Sequence, residues 1–446
     1  MTTTSGCLPA LGPWPARMAN PIRDYDWGST THLARMQGRI PDGRPEAELW
    51  MGAHPSAPSA LIGLDGSRLP LDELLRHHSQ VLLGAEVMSR HGTRLPYLLK
   101  VLAIARPLSL QVHPDPGRAR RRYTEQQADG RRSAAHDGAG QTPGPAGEGT
   151  AGTGRPPPTY SDPYAKPEML YALRRVDAMC GFRSAAEAAE LVRLVGGPQL
   201  APVLEALTSQ AHPHHQLEDA FAALVTWPAK ERQHLVEDLL HRTRALLAGD
   251  GDEPLPSPGE RRTLTWIARL AALHPGDPLV GAPLLLEVHQ LEPGETLFIP
   301  AGAPHAYLAG LGVEIMANSD NVLRAGLTHK EIAVDELLQV IDGNSRPVRN
   351  VPELRLGPHE VAWRTGVAEF QLTRLRLDDS TPVAAYPAFH GPQVVLCTSG
   401  TVGVATSSYA LALHAGESAF VGASGGPITL AGPGEVFRAA VGEPVR

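Results

Sequence analysis

The sequence contains little cysteine, and its three cysteines are far apart. Cys7, Cys180 and Cys397 form no C-x-x-C pair and are odd in number. This excludes a disulfide framework and a sulfur-rich structural zinc site. The small number and wide separation of the cysteines fit a reducing compartment, and we expect a cytoplasmic protein.

Long apolar runs and clustered positive charge are also missing. No stretch reaches the length of a membrane span, and residues 1–21 lack the basic start and the apolar centre of a signal peptide. The net charge is −7 at pH 7, and Lys and Arg are scattered along the chain. We therefore expect neither nucleic acid nor a membrane as a partner.

The spacing of apolar residues changes along the chain. Its 446 residues are long enough for two or three domains. Residues 18–182 carry strand-like runs divided by Pro and Gly, and residues 183–275 place apolar residues three and four apart, as helices do. After Pro283 the pattern is strand-like again. We predict a mainly β protein with an α-helical insertion. Residues 1–17 are expected to be a disordered leader or a misplaced start, and residues 130–158, rich in Gly, Pro and Ala, a disordered insertion.

A short repeat occurs in the second strand-like region. Residues 293–301, PGETLFIPA, resemble residues 415–423, AGESAFVGA. Either a turn and strand recur by chance, or the chain holds two related β-barrel modules. The first copy leads to His305 and the second to no histidine, so only the first barrel would retain polar site chemistry.

Polar residues interrupt the apolar strands at a few positions. Gln111 and His113 are two residues apart in PLSLQVHPD, so they share one face of a strand, where burial is costly unless a hydrogen-bond network or a metal ion satisfies them. Glu168 in YAKPEML and His305 in GAPHAYL add a carboxylate and a second imidazole. Together the four are a ligand set for a divalent borderline metal. The four residues span nearly 200 positions, so their spacing alone does not show that they lie together in the fold. Each of the four also fits an ordinary core or turn position.

Charged residues also fall within apolar segments. Lys100 lies inside YLLKVL and should face a cavity or a partner. Lys166 shares a strand face with Glu168, Glu314 interrupts GVEIMAN, and Arg324 follows in SDNVLRAG. Each could form an ion pair at the rim of a barrel. If they converge, they favour binding of a phosphate dianion.

Seven sequence blocks, in order, resemble the signature blocks of type I mannose-6-phosphate isomerase. They are NPIRDYDWGS, AELWMGAHPSAPS, LPYLLKVL, PLSLQVHPD, YAKPEMLYAL, IPAGAPHAYL and GVEIMANSDNVLRAGLTHK. The resemblance covers most of residues 18–335. It implies a zinc-dependent aldose–ketose isomerase of carbohydrate metabolism and GDP-mannose biosynthesis, which interconverts D-mannose 6-phosphate and D-fructose 6-phosphate through a cis-enediol.

The resemblance also implies a domain layout with two cupin, or jelly-roll, β-barrels. The catalytic barrel would consist of residues 18–182 and 276–326, separated by a helical domain at 183–275. Residues 327–446 would form a C-terminal cupin-like barrel without a metal site. We expect a monomer whose partner is a small sugar phosphate.

The resemblance assigns roles to individual residues. One Zn²⁺ would be bound by Gln111, His113, Glu168 and His305, and Arg324 would act in catalysis. We expect Glu314 to be the base, with His54 and a neutral Lys100 or Lys166 as alternatives. Lys166 is counted with the catalytic residues, and the substrate would contact Ser109, Lys100, Tyr307 and Asp320.

Some positions depart from the family pattern. Ala165 stands where a His is usual before KPEM, and His329 where a Pro is usual. Asp24 and Asp26 also differ, and the 130–158 insertion is longer than normal. No predicted ligand is lost.

Other activities remain open from the sequence. Two His and a carboxylate on a cupin also form non-haem iron oxygenase sites, although Gln111 as a fourth ligand argues against one. A sugar-phosphate isomerase of different specificity and a non-catalytic sugar-phosphate-binding bicupin are the remaining alternatives.

Overall fold

The computed structural model describes residues 13–136, 159–249, 255–379, 382–384 and 391–442. Most of the two segments that the sequence predicts to be disordered lies outside these ranges.

The described strands, numbered along the chain, form two antiparallel sheets of 11 and 12 strands. The smaller sheet consists of β2 (Ile22–Arg23), β3 (Glu48–Met51), β6 (Tyr97–Ile104), β7 (Leu110–Val112), β8 (Glu168–Ala172), β9 (Val176–Phe182), β10 (Leu286–Leu291), β11 (Thr296–Ile299), β12 (His305–Ala317), β13 (Leu323–Gly326) and β14 (Val348–Arg349). The larger sheet consists of β1 (Ala16–Ala19), β4 (Ala60–Ile62), β5 (Arg68–Pro70), β15 (Glu353–Arg355), β16 (Glu360–Trp363), β17 (Gln371–Leu377), β18 (Val383–Ala384), β19 (Gln393–Ala405), β20 (Ala410–His414), β21 (Ser418–Val421), β22 (Thr429–Ala431) and β23 (Gly434–Ala440).

The helices lie mainly between β9 and β10. The described α-helices are α1 (His32–Met36), α2 (Leu71–His91), α3 (Pro116–His136), α4 (Ala185–Val195), α5 (Ala201–Thr208), α6 (Gln216–Val225), α7 (Arg232–Ala248), α8 (Pro258–Leu273) and α9 (Val334–Val340). Helices α4 and α8 begin with capping boxes, in which Ser184 and Ser257 exchange hydrogen bonds with Glu187 and Glu260. The predicted mainly β fold with a helical insertion is confirmed.

Apolar residues join the helices to the smaller sheet. Phe182 on β9 packs edge-on against Phe221 on α6, with ring centroids 5.9 Å apart. Leu110 and Leu323 of the sheet are buried in the same cluster as the helical residues. The helices thus cover the part of the sheet formed by β7, β9, β10 and β13. None of the described helices has both the length and the apolar content needed to span a bilayer.

Strand β12 organises the smaller sheet because it is long enough to pair with four others. Its second half pairs with β6 and β8, and its first half pairs with β7 and β9. Segments that are remote in sequence are therefore held side by side. This pairing is what brings the candidate site residues together.

The first strand of the chain belongs to the larger sheet. Ala16 pairs with Phe420 on β21, and Met18 pairs with Leu61 on β4. Trp14 is buried and packs edge-on against Phe420. The sequence-based domain boundaries place this strand partly in the leader and partly in the catalytic barrel. Its hydrogen bonds connect it to the C-terminal strands, and the division into domains stays a prediction.

Candidate active site

Two histidines and a glutamate meet in the interior of the smaller sheet. His113 Nε2 lies 3.2 Å from Glu168 Oε1, and His305 Nε2 lies 3.5 Å from Glu168 Oε2. One ligand atom from each of the three residues lies within 4.8 Å of the others. His305 opens β12, Glu168 opens β8, and His113 directly follows β7. Pairing of these strands thus assembles a group whose members are far apart in sequence.

Backbone carbonyl groups orient both imidazole rings. His113 Nδ1 donates to the carbonyl of Asn321 at 2.8 Å, and His305 Nδ1 donates to that of Ala303 at 3.0 Å. A carbonyl oxygen only accepts, so the hydrogen lies on Nδ1 of each ring and the Nε2 lone pairs face Glu168. Burial, with help from the positive charge of Lys166, lowers the pKa of His113 to about 4. The ring is therefore neutral, as a metal ligand must be.

The atoms that face one another in this group lack hydrogen-bond partners. His113 Nε2, His305 Nε2 and Glu168 Oε2 are all buried and unpaired in hydrogen bonds among the described residues. Buried polar atoms are costly when unsatisfied. Two imidazoles and a carboxylate are donors that Zn²⁺ accepts. The residues present therefore fit a zinc ion.

The register of the strands places Gln111 beside His305 and Arg324 beside Gln111. Gln111 on β7 lies directly opposite His305 on β12 and opposite Arg324 on β13. Residues directly opposite each other in antiparallel strands share one face of the sheet. Gln111 is thus positioned on the face of His305, and Arg324 follows one strand further out. Arg324 is half-buried, and its guanidinium forms no hydrogen bond or ion pair with the residues that the structure describes.

A network of buried charges continues from the histidines across the sheet. Lys166 Nζ lies 3.1 Å from Glu168 Oε1. Lys100 Nζ lies 3.4 Å from Glu314 Oε2 and 3.8 Å from Glu48 Oε2. Lys100 and Glu314 are directly opposite on β6 and β12, and Trp50 on β3 is opposite Lys100. Lys100, Lys166 and Glu314 thus belong to one group of buried charges, whereas Arg324 forms no ion pair with it among the described residues.

The buried charges shift one another's pKa values. Burial and the negative charge of Glu168 raise the pKa of Glu314 to about 7, against the opposing charges of Lys100 and Lys166. Burial alone would lower the pKa of Lys100, but the charges of Glu48 and Glu314 outweigh it and raise that pKa. Lys100 is therefore a cation, whereas Glu314 titrates near neutral pH. This favours Glu314 over Lys100 as a proton acceptor.

Asp320 lies at the exposed side of the site and is paired with His54. Ser56 N donates to His54 Nδ1 at 3.3 Å, which leaves the ring hydrogen on Nε2. His54 Nε2 lies 3.1 Å from Asp320 Oδ1. Burial works to raise the pKa of Asp320, but the hydrogen bond from His54 and the nearby lysines outweigh it and lower that pKa. Asp320 is therefore ionised.

The remaining predicted residues are less closely tied to the cluster. Tyr307 is buried, and burial together with the negative charges of Glu314 and Glu168 raises the pKa of its hydroxyl well above the usual range. Ser109 is half-buried, one residue before β7. Within the described part of the chain, neither Ser109 nor Arg324 is hydrogen-bonded or ion-paired to His113, Glu168 or His305.

Sequence reasoning missed three residues that the structure connects to the site. Glu48 accepts a hydrogen bond from Trp50 Nε1 and lies beside Lys100. Its position two residues before Trp50 on a buried strand was a usable signal, like that of Gln111 and His113. Asn321 and Asp162 hold the turn that precedes β13, and no periodicity in the sequence reveals a contact between such irregular segments.

The mainly β, cupin-type fold and its buried imidazole–carboxylate cluster beside a network of buried ion pairs define a metal-dependent enzyme. Comparison with known proteins identifies the family. A sequence model described as phosphomannose isomerase type I, catalytic domain, matches residues 16–185. Mannose-6-phosphate isomerase of Shigella flexneri is 33% identical over 426 residues, covering 95% of this chain and 98% of the relative. The Escherichia coli enzyme is 32% identical over 428 residues with the same coverage.

Solved structures agree with the sequence comparison. A crystal structure of mannose 6-phosphate isomerase bound with zinc and yttrium is 31% identical, with a TM-score of 0.78, and covers 96% of this chain and 100% of that one. A variant of phosphomannose isomerase from Salmonella typhimurium is 30% identical, with a TM-score of 0.79 and the same coverage. The chain belongs to the type I mannose-6-phosphate isomerase family. The resemblance seen in the sequence is confirmed, and so is the assignment to this class of enzyme.

Proposed function

We propose that this chain interconverts D-mannose 6-phosphate and D-fructose 6-phosphate with one zinc ion bound by Gln111, His113, Glu168 and His305. The observation that carries the proposal is the set of three buried ligand atoms without hydrogen-bond partners, on His113, Glu168 and His305. A bound zinc ion would supply positive charge that stabilises negative charge developing on the oxygens of the substrate.

The proton transfer is assigned to Glu314. Isomerisation moves a proton between C2 and C1 of the open-chain sugar, so the base must ionise near neutral pH and be shielded from water. Glu314 is buried, and its pKa is about 7. As a carboxylate it would accept the proton from C2 of mannose 6-phosphate and return it to C1. Lys166, beside Glu168, would contribute positive charge where the enediol forms.

The substrate is positioned by groups that surround the cluster. Arg324 offers a forked guanidinium for the phosphate dianion, and Lys100 adds a buried positive charge. Tyr307, kept neutral by its raised pKa, remains a hydroxyl donor. Asp320 would accept a hydrogen bond from a sugar hydroxyl, and Ser109 would donate one to a phosphate oxygen. The positive charges of this pocket favour a phosphorylated sugar over a neutral one.

A metal-exchange experiment tests the assignment. Purified protein is stripped with a chelator, reloaded with zinc, and assayed for conversion of mannose 6-phosphate in a coupled assay. We expect one zinc per chain and activity that returns with the metal. Glu168→Gln should lose zinc and activity together, because it replaces the only carboxylate of the ligand set. Glu287→Gln changes an exposed residue on β10 and should keep zinc and activity. Full activity in the stripped protein would contradict the proposal, and iron with oxygen consumption would favour the oxygenase alternative.

We further propose that the enzyme acts as a cytoplasmic monomer in carbohydrate metabolism, supplying mannose phosphate for GDP-mannose. In support of the reducing compartment, Cys180 and Cys397 are buried free thiols. The net negative charge disfavours nucleic acid as a partner.

A further inference from the structure

The turn formed by residues 319–321 carries two groups on which the site depends. The carbonyl of Asn321 accepts the hydrogen bond from His113 Nδ1 that fixes the orientation of this ring. The carboxylate of Asp320 pairs with His54 at the exposed side of the pocket. A small movement of the turn would therefore disturb a candidate metal ligand and a candidate substrate contact at once.

One carboxylate, that of Asp162, contacts all three residues of this turn. Its Oδ1 accepts hydrogen bonds from Ser319 Oγ at 2.9 Å and from Asn321 Nδ2 at 3.2 Å. Its Oδ2 accepts a hydrogen bond from Asp320 N at 2.9 Å. The surrounding backbone reinforces the contact, because Ser161 N donates to Asn321 Oδ1 at 2.8 Å. Asn321 is fully buried.

The donors around Asp162 explain why this position needs a carboxylate. Both of its oxygens face N–H and O–H groups, and Tyr164 N also donates to Oδ1 at 2.9 Å. Within the described residues, no Lys, Arg or His lies in ion-pair distance of Asp162. Its charge therefore acts on the hydrogen bonds to the turn, and bonds to an ionised acceptor are stronger than neutral ones. An amide at this position would oppose at least one of these donors with its own N–H groups.

We propose that Asp162 is a positioning residue that acts through the 319–321 turn on His113 and Asp320. The proposal rests on the metal site of the proposed function. Partners that orient metal-bound histidines commonly change metal affinity or activity about 10–100-fold when they are removed. Asp162 acts one step further out, by fixing the carbonyl that orients His113.

The test compares Asp162→Asn with Ser161→Ala. The first change keeps the shape of the side chain but replaces one acceptor oxygen by a donor. The second removes a hydroxyl from an exposed neighbour and leaves the backbone N–H of Ser161 in place. Zinc affinity is measured by competition with a chelator, and kcat and KM are measured at saturating zinc. For Asp162→Asn we expect zinc affinity and kcat each to fall about tenfold or more, with a smaller change in KM.

Parental protein and Ser161→Ala should have equal zinc affinity and kcat. If parental protein binds zinc and is active, and Asp162→Asn matches it in zinc affinity and kcat, the positioning role is refuted. The positioning role is also refuted if Asp162→Asn lowers the unfolding temperature but leaves zinc affinity and kcat unchanged, because a merely structural role predicts that result. Parental protein without zinc-dependent activity would instead contradict the proposed function.

A second variant covers the case in which Asp162→Asn does not fold. Ser319→Ala removes one donor to Asp162 Oδ1 from the other side of the contact. It should lower zinc affinity in the same direction, by a smaller factor. Unchanged affinity and kcat in Ser319→Ala would then refute the role.

Discussion

The positive charge of Lys100 stabilises the ionised form of Glu314, and a single substitution tests this. The two charged groups are buried and 3.4 Å apart. At this distance and an effective dielectric constant of about 20, two unit charges interact by about 5 kcal/mol. Lys100 also lies 3.8 Å from Glu48, which shares its charge. We therefore expect Lys100→Met to shift the pKa of Glu314 by only about 1–3 units, the range typical of a carboxyl beside a cation.

The direction of the shift follows from the role of Glu314. As a base it must be ionised, and its pKa is about 7. Without Lys100 the carboxylate is less stable and the pKa rises, so the acid limb of the kcat/KM profile should move to higher pH by about 1–3 units. Glu48→Gln should have the opposite effect, because the negative charge of Glu48 raises the pKa of Glu314.

The assay is the pH dependence of kcat/KM for mannose 6-phosphate with zinc-loaded protein. Lys230→Met serves as the control, since Lys230 is exposed among the helices and carries the same charge. It should leave the acid limb where it is in the parental protein. If Lys100→Met and Glu48→Gln leave the limb unmoved, or move it in the same direction, Glu314 is not the base.

Two further predictions concern Arg324 and the larger sheet. Arg324→Ala should retain one zinc per chain in metal analysis but lower kcat/KM about 10²–10³-fold, because it removes a charge-assisted contact to the substrate and no metal ligand; loss of zinc would contradict this role. Arg438 is 1% exposed and donates from Nη2 to Glu360 Oε1 at 2.5 Å. Arg438→Met should lower the free energy of unfolding by about 3–5 kcal/mol in denaturant titrations, because it removes the buried guanidinium that forms an ion pair with the Glu360 carboxylate. The double variant with Glu360→Leu should recover most of that loss, and an equally unstable double variant would refute the reasoning.

The candidate ligands could be predicted because their signal is local. Gln111 and His113 are polar residues spaced by two within an apolar strand, and this pattern is visible in any single sequence. Glu168 and His305 carry a weaker signal, since each is one polar residue at the start of a strand. Resemblance to a family joined the four residues, whereas spacing alone did not.

The electrostatic properties of the site depend on strand register, which the sequence does not reveal. Lys100 faces Glu314 only because β6 and β12 pair in the observed register. A shift of one strand by one residue would turn its charged side chain to the other face and separate Lys100 from Glu314. Burial and Glu168 raise the pKa of Glu314 while the paired Lys100 opposes the rise, so this pKa depends on contacts that could not be predicted. The contact between Asp162 and the 319–321 turn joins two irregular segments for which no periodic pattern exists.

The pairing of Ala16 with Phe420 has a consequence for biosynthesis. A ribosome makes β1 long before its partner β21, because residues 20–417 separate the two strands. Until then the backbone hydrogen-bonding groups on this edge of β1 have no strand to pair with, and unpaired edges promote aggregation during folding. The larger sheet thus closes late, after translation has delivered its last strands, and prematurely terminated chains would be left with an open edge.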